Sequence, residues 1–415
     1  MGNETTEPHP SAPHVLVVGG SMAGLFCGVM LRARGWNVDI YERAEEQLAS
    51  RGAGIATHDE LYDAFEAAGV DLRAEMGVRS EGRIVFDAAG KVLGECAMHQ
   101  VMTSWGFVYR FLRSKFPDAH YHSGHTLERL SQSADGVTAH FANGRSVRGD
   151  WLVGADGTRS AVRQAVLPEA TVDYCGYFLW RGLIDEAAVP PEVLRQLAHR
   201  LVFSTSPRGH WLGYLVAGPG DDLRPGHRWY NWGWYRRADA DALRQHLTGS
   251  DGRHYPLGIP HDRLQPQLVA AMRRAAAAEL APPVQAVIAA TPQPFFQGIY
   301  EMSSARLVHG RVVLVGDAAF TARPHVGLGV SKAAVDATTL ADALTAPQHA
   351  QALAAWEQQR LRYGQAAVRW GRELGSYIKA PADTPEYRAK AEHYARPDVL
   401  MTVTAASEPS RYLEL

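Results

Sequence analysis

Cysteine is scarce in this chain. Cys27, Cys96 and Cys175 are the whole complement in 415 residues, an odd number at wide spacing. That argues against a disulfide framework or a thiolate metal cluster and fits the reduced thiols of a cytoplasmic protein. Long apolar runs are missing as well: no stretch approaches the ~20 residues that a membrane-spanning helix needs. The first residues, MGNETTEPHPSAP, are polar and hold no basic segment followed by an apolar one, so no signal peptide is expected. Nor does either charge dominate. Lys and Arg number 42 against 44 Asp and Glu, a formal net charge of -2, and that balance offers no footprint for nucleic acid or an anionic membrane. Repeats and low-complexity tracts are absent, which removes solenoid and disordered architectures.

What remains is ordinary globular material, 46% hydrophobic and 21% charged, long enough for two domains. His14 to Gly19 (HVLVVG) reads as a buried parallel strand, Met22 to Arg34 as a helix ended at Gly35, and Asn37 to Tyr41 as a second strand. This βαβ unit predicts an α/β fold with a doubly wound parallel sheet. The turn Gly19-Gly20-Ser21-Met22-Ala23-Gly24 opens the helix, where backbone N–H groups can meet a pyrophosphate. Glu42, with Arg43 beside it, closes the second strand where a carboxylate bonds ribose hydroxyls. Ser21 replaces the usual middle glycine, and its hydroxyl can itself donate to phosphate. A glycine-rich turn of any doubly wound fold would look similar, so the motif needs company.

Two later segments supply it. Ala155-Asp156-Gly157 follows the buried strand WLVG (151–154) and precedes a helix start, bringing backbone again to the carboxyl edge of the sheet. Residues 311–336, RVVLVGDAAFTARPHVGLGVSKAAVD, run from an apolar strand to an Asp on a tight turn, past a proline, and through two glycines into a helix. Asp317 can accept hydrogen bonds from a polyol and Pro324 fixes the backbone. Gly327, Leu328, Gly329 and Val330 bring main chain and a helix N-terminus against an electron-rich ring. Three separated motifs thus agree on one extended cofactor, FAD. Between them, Val137 to Val147 reads as a hairpin with a type I′ turn at Asn143-Gly144. From about Tyr174, short Trp- and Tyr-rich strands predict a mainly antiparallel β-sheet, and residues 331–378 read as C-terminal helices.

In order and spacing these motifs resemble the class A flavoprotein aromatic hydroxylases, monooxygenases with the para-hydroxybenzoate hydroxylase fold, over roughly residues 13–375. GAGIATHDEL (Gly52–Leu61), GYFLWRGL (Gly176–Leu183), VHGRVVLVGDAAFTARPH (Val308–His325) and SKAAVDA (Ser331–Ala337) look especially like the 2,6-dihydroxypyridine hydroxylase branch. Phe320 and Ser331 stand where most class A relatives carry His and Asn, a departure toward the pyridine-ring enzymes. The resemblance implies bound FAD, NADH or NADPH as transient reductant, O2, and a small aromatic substrate hydroxylated through a flavin C4a-hydroperoxide. It places Arg51 and Arg110 at the FAD pyrophosphate and Ile55, on the RGAGI loop, near the flavin. It implies an FAD-binding domain from residues 13–80, 101–174 and 300–378, a substrate domain from 81–100 and 175–299, and a tail over 379–415. A homo-oligomer, dimer or higher, is usual for such enzymes.

Such chemistry is helped by a base that removes a ring-hydroxyl proton near neutral pH. His58, Tyr214 and His325 are the candidates; His58 is either that base or a helix-capping residue next to Asp59 and Glu60. Trp232 and Trp234 alternate on one strand, with Trp180 as a neighbour, and form either a ring-stacking wall for substrate or plain core. Arg181 pairs with a substrate oxyanion or closes a domain interface, and Pro324 borders both ring systems. No anchor for a carboxylate stands out, so a neutral, partly apolar pyridinol is expected. Baeyer–Villiger, epoxidising or reductase chemistry on the same frame remains open, as does a non-catalytic flavin-bearing binding protein.

Overall fold

The computed structural model describes residues 12–45, 54–68, 76–207, 209–256, 258–379 and 384–405. Arg51 lies outside them. The central strand His14–Val18 is flanked in parallel by Asn37–Tyr41 and Trp151–Gly154. Val15, Leu16 and Val17 are wholly buried, as β-branched and apolar residues covered on both faces should be. Val312–Leu314 extends the parallel sheet beyond Trp151–Gly154, Tyr121–His122 extends it beyond Asn37–Tyr41, and Val308–His309 adds an antiparallel edge. Helix Met22–Arg32 packs against helix Gly329–Thr345 on one side of this sheet. Gly24 allows the first of these helices to sit close: a Cβ there would lie 1.8 Å from the Gly19 carbonyl oxygen. The three motif segments therefore converge at the carboxyl end of adjacent strands, where doubly wound sheets bind ligands.

The second sheet has nine strands, in the order Phe320–Thr321, Phe295–Ser303, Asp173–Asp185, Trp229–Arg237, Gly209–Val216, Arg200–Ser206, Val78–Phe86, Val92–Ser104 and Gly54–Ala56. It is mainly antiparallel, with Arg200–Ser206 and Val78–Phe86 the parallel pair. Side chains alternate between faces along each strand, so the register divides the sheet cleanly. Trp180 lies opposite Trp234, Trp234 opposite Trp211, and Gly182 opposite Trp232. These residues face the helices Pro191–Leu197, Ala240–His246, Pro266–Glu279 and Pro282–Ala290 and form one buried cluster with them. Leu179, Arg181, Leu212, Tyr214 and Tyr235 occupy the other face.

Two expectations are corrected here. Asn143-Gly144 is not a type I′ turn, because only Gly144 takes positive φ. Gly144 N–H bonds the Phe141 carbonyl at 2.9 Å and Asn143 Oδ1 accepts from Arg145 N–H at 3.0 Å, closing a longer loop. The C-terminal segment is also more than a tail. After helix His349–Leu374, helix Pro385–Ala395 buries no residue, but helix Pro397–Val403 returns to the second sheet. Leu400 and Met401 pack there with Val85, Phe203, Tyr214 and Val216. Burying two such side chains contributes about 1.5–3 kcal/mol each.

Candidate active site

A cavity of about 700 Å³ lies between the two sheets. Its cofactor side is built on the turn after Val312–Leu314. Asp317 is exposed in the cavity wall, and desolvation by the protein around it raises its pKa. Its carboxylate takes no hydrogen bond from the described residues. The turn is held from behind by a buried ion network. Asp336 accepts the Gly316 N–H at 2.9 Å and Arg360 Nε at 2.7 Å, and Lys332 Nζ donates to the Gly316 carbonyl at 2.6 Å. Pro324, Gly327, Leu328, Gly329 and Val330 follow along the cavity wall. A Cβ on Gly329 would meet nothing within 4 Å, so the start of helix Gly329–Thr345 offers an open cradle. An unpaired carboxylate and a bare helix N-terminus suit a polyol joined to a flat heteroaromatic, and the residues fit FAD.

The other motif residues divide. Arg43 and Ile55 border the cavity. The helix opened by Met22 and Ala23 has Ser21 as its N-cap with no side-chain cap bond, leaving its first N–H groups available. Glu42 is occupied within the protein, accepting Gly20 N–H at 2.7 Å and Ala44 N–H at 2.9 Å. Asp156 borders the cavity but its carboxylate caps the next helix, accepting from Ser160 Oγ, Ala161 N–H at 2.7 Å and Val162 N–H at 3.2 Å. It shapes the loop rather than reaching outward. Arg110 is drawn away from the cavity into an ion pair with Asp221. Phe320 is core, packed against Gly364, and Ser331 Oγ is buried without a partner.

The substrate side departs further from expectation. Trp232 and Trp234 are fully buried on the helix-covered face. Trp232 donates its indole N–H to Thr291 Oγ1 at 2.9 Å, and Arg236 lies 4.3 Å over the Trp234 ring. Trp232 touches the cavity edge and Trp234 does not, and both side chains pack in the helix-covered cluster. His58 stands at the N-cap position of helix Asp59–Ala67 without making a capping bond. It lies outside the cavity lining, beneath Gly327, and burial lowers its pKa to about 4.

Tyr214 does border the cavity, and desolvation pushes its pKa up to about 12, which makes it a donor rather than a base. His325 borders it too, with Nε2 2.9 Å from the Tyr177 hydroxyl and its ring 4.2 Å from Tyr235. Burial holds its pKa well below the usual imidazole value, so it is neutral at pH 7. Arg181 projects from the cavity face, donating to Gln297 Oε1 at 3.2 Å, and no ion pair joins it to a carboxylate among the described residues.

Four contributors are singled out by no sequence motif. His210, whose pKa burial lowers to about 3, lies with its ring 5.7 Å from His325 and with Nδ1 2.5 Å from the Tyr377 hydroxyl. It shares strand parity with Tyr214, which was the available signal. Tyr177 shares parity with Arg181 in the same way. Thr404 and Ala405 also line the cavity, and nothing near them in sequence announces it.

A family profile described as FAD binding domain-like matches residues 174–301. The chain is 30% identical over 374 residues to 2,6-dihydroxypyridine 3-monooxygenase of Paenarthrobacter nicotinovorans, covering 89% of this chain and 92% of that one. It is 27% identical to 6-hydroxynicotinate 3-monooxygenase of Pseudomonas fluorescens, over 84% and 88% of the two chains. The solved 2,6-dihydroxypyridine-3-hydroxylase from Arthrobacter nicotinovorans superposes with a TM-score of 0.84 at 29% identity, covering 91% of this chain and 96% of that one. With the cradle and its geometry, these similarities place the chain in the family of FAD-dependent, NAD(P)H-using aromatic monooxygenases, the class A flavoprotein hydroxylases.

Proposed function

We propose that the protein hydroxylates a hydroxylated pyridine or a closely related aromatic ring, using NAD(P)H and O2. The observation that carries this reading is a neutral imidazole, His325, facing the same cavity as Arg181, an arginine with no acidic partner among the described residues. Tyr235 stands between them, 4.2 Å from His325 by ring centres and within electrostatic reach of Arg181.

Asp317 and the start of helix Gly329–Thr345 hold FAD, which supplies the activation of O2 when reduced. With Nε2–H donated to the Tyr177 oxygen, the neutral His325 ring has Nδ1 free of hydrogen and able to take the proton of a ring hydroxyl. Arg181 then faces the resulting oxyanion and stabilises it, which raises electron density on the ring carbons beside it. This favours an ionisable hydroxypyridine over the wholly neutral substrate expected from sequence. Leu179, Leu201 and Leu212 line the rest of that face and keep water from the reacting atoms. The relatives that act on 2,6-dihydroxypyridine and 6-hydroxynicotinate support the same substrate class. No helix among the described residues is long and apolar enough to cross a membrane. A cytoplasmic homo-oligomer completes the reading.

Purified holoenzyme mixed with NADH or NADPH and a panel of hydroxypyridines tests it. One or more should stimulate nucleotide oxidation and yield a product heavier by one oxygen atom. Stimulation by simple phenols alone would overturn the substrate class and leave the family assignment intact.

A further inference from the structure

The segment 397–405 crosses more than three hundred residues of sequence to close the cavity. Leu400 and Met401 cover the cavity face of the second sheet at its far strands, while Thr404 and Ala405 border the cavity itself. The Ala405 N–H donates to the His325 carbonyl at 2.9 Å. Ala405 sits at φ 50°, the left-handed region a β-carbon disfavours. It lies so close to Gly327 that a Cβ there would come within 2.7 Å of the Ala405 Cβ. Gly327 itself has φ +69°. The strap thus rests on the turn that carries His325.

One side chain holds it. Arg83, on strand Val78–Phe86, is buried to 1% exposure. Its guanidinium donates to the carbonyls of Met401 at 3.0 Å, Thr404 at 2.5 Å and Ala405 at 3.3 Å, and to Gln100 Oε1 at 2.8 Å. Gln100 Nε2 reaches the Ala405 carbonyl at 2.9 Å and the Thr57 carbonyl at 3.0 Å. No ion pair joins Arg83 to a carboxylate among the described residues. The counter-charge is the negative end of helix Pro397–Val403, whose last carbonyls have no partner within the helix. Burial of this charge lowers the Arg83 pKa to about 10. Strap and arginine need each other: without the strap a buried cation loses three of its acceptors, and without the cation the Met401 and Thr404 carbonyls lose their partner while Ala405 keeps only Gln100.

We propose that residues 397–405 form the specificity wall of the substrate cavity and hold the His325 turn in register, with Arg83 as the positioning residue that clamps them. The inference rests on the hydroxylase reading for its substrate, but the clamp does not. Thr404 and Ala405 offer a short polar and a methyl surface, which admits a compact hydroxylated ring and resists a bulky substituent pointing that way.

The test uses FAD-loaded enzyme and the variants Arg83→Met, Arg83→Lys and Thr404→Phe. Arg83→Met should speed amide exchange across 397–405 and raise KM for the stimulating hydroxypyridine about tenfold, with kcat changed less and FAD content unchanged. Arg83→Lys should restore part of the exchange protection. Thr404→Phe should change exchange less than Arg83→Met does and cut kcat/KM several-fold more for the larger hydroxypyridines than for the smallest. Unchanged exchange in a folded, FAD-loaded Arg83→Met enzyme would overturn the clamp. An unchanged ranking of substrates by size in Thr404→Phe would overturn the wall. If no hydroxypyridine stimulates the unmodified enzyme, the substrate reading falls, and the exchange data still decide the clamp.

Discussion

The Tyr177 hydroxyl lies 2.9 Å from His325 Nε2, joining the second sheet to the turn that carries the cofactor motif. Tyr177 is fully buried and burial pushes its pKa well above the ordinary phenol value, so it stays protonated while it engages the imidazole. That contact sets the ring's orientation and decides which nitrogen is left for chemistry.

Tyr177→Phe should therefore lower kcat by about 10- to 100-fold, the range of a misplaced general base. The pH dependence of kcat should change shape while FAD content stays constant. His325→Gln should remove the same limb of the profile. An unaltered profile in both variants would separate these residues from proton transfer.

Acid should destabilise the fold. Burial pushes His58, His210 and His325 below the ordinary imidazole value, the first to about 4 and the second to about 3. Below ~6.5 the unfolded chain binds protons at these positions and the folded chain does not, so stability falls as pH falls. Each histidine contributes a slope of up to about 1.4 kcal/mol per pH unit in that window. His14 runs the other way. Its pKa is raised by the hydrogen bond to Asp39, so its contribution is full below ~6.5 and is lost as pH rises through the folded value. Burial lowers His246 and His309 as well, so five such histidines against His14 leave a net loss toward acid. Urea unfolding at several values between about pH 7.5 and 5 should show it, and His210→Asn should flatten the dependence.

Much of the cofactor side was legible because turn chemistry is local. Gly19 to Gly24, Asp156-Gly157 and Gly316-Asp317 each announce a strand ending at a backbone turn, and the structure brings the three strand ends together. The substrate side was legible only in parity. Alternation places Trp180, Trp232 and Trp234 on one face and Arg181, Tyr214 and Tyr235 on the other, but not which face helices will cover; that depends on distant segments such as Pro266–Glu279. Sequence position did not announce that Glu42 and Asp156 also accept backbone N–H groups close by in space. The strap was not legible at all. Its partners Arg83 and Gln100 lie some three hundred residues upstream, and an arginine on a strand gives no sign that its counter-charge is a helix end.

Asp317→Ala should weaken FAD binding by about 10- to 100-fold, the range lost with a hydrogen bond to a charged acceptor. Dialysis followed by the flavin absorbance per protein measures it. Arg360→Met tests the support beneath. It leaves Asp336 buried beside Lys332 alone, at a cost of about 3–5 kcal/mol, and should loosen FAD through the Gly316 turn. Retained FAD at normal affinity in Asp317→Ala would remove that carboxylate from the cofactor site.

Arg181 distinguishes an ionised substrate from a neutral one. Half-buried on the cavity face, Arg181 has its pKa lowered by desolvation, and no acid among the described residues pairs with it there. A bound oxyanion would offset that desolvation and be stabilised in return, so a hydroxypyridine should ionise more readily on the enzyme than in water. Difference spectra of bound hydroxypyridine against pH should show its ionisation shifted downward in the unmodified protein. In Arg181→Met the shift should vanish and KM should rise about 10-fold or more, with larger effect on hydroxylated rings than on isosteric methylated ones. Arg181→Lys retains the charge but loses the planar fork, and should recover only part of the shift. If methylated and hydroxylated rings lose affinity equally in Arg181→Met, the arginine serves packing, and the substrate binds as the neutral form.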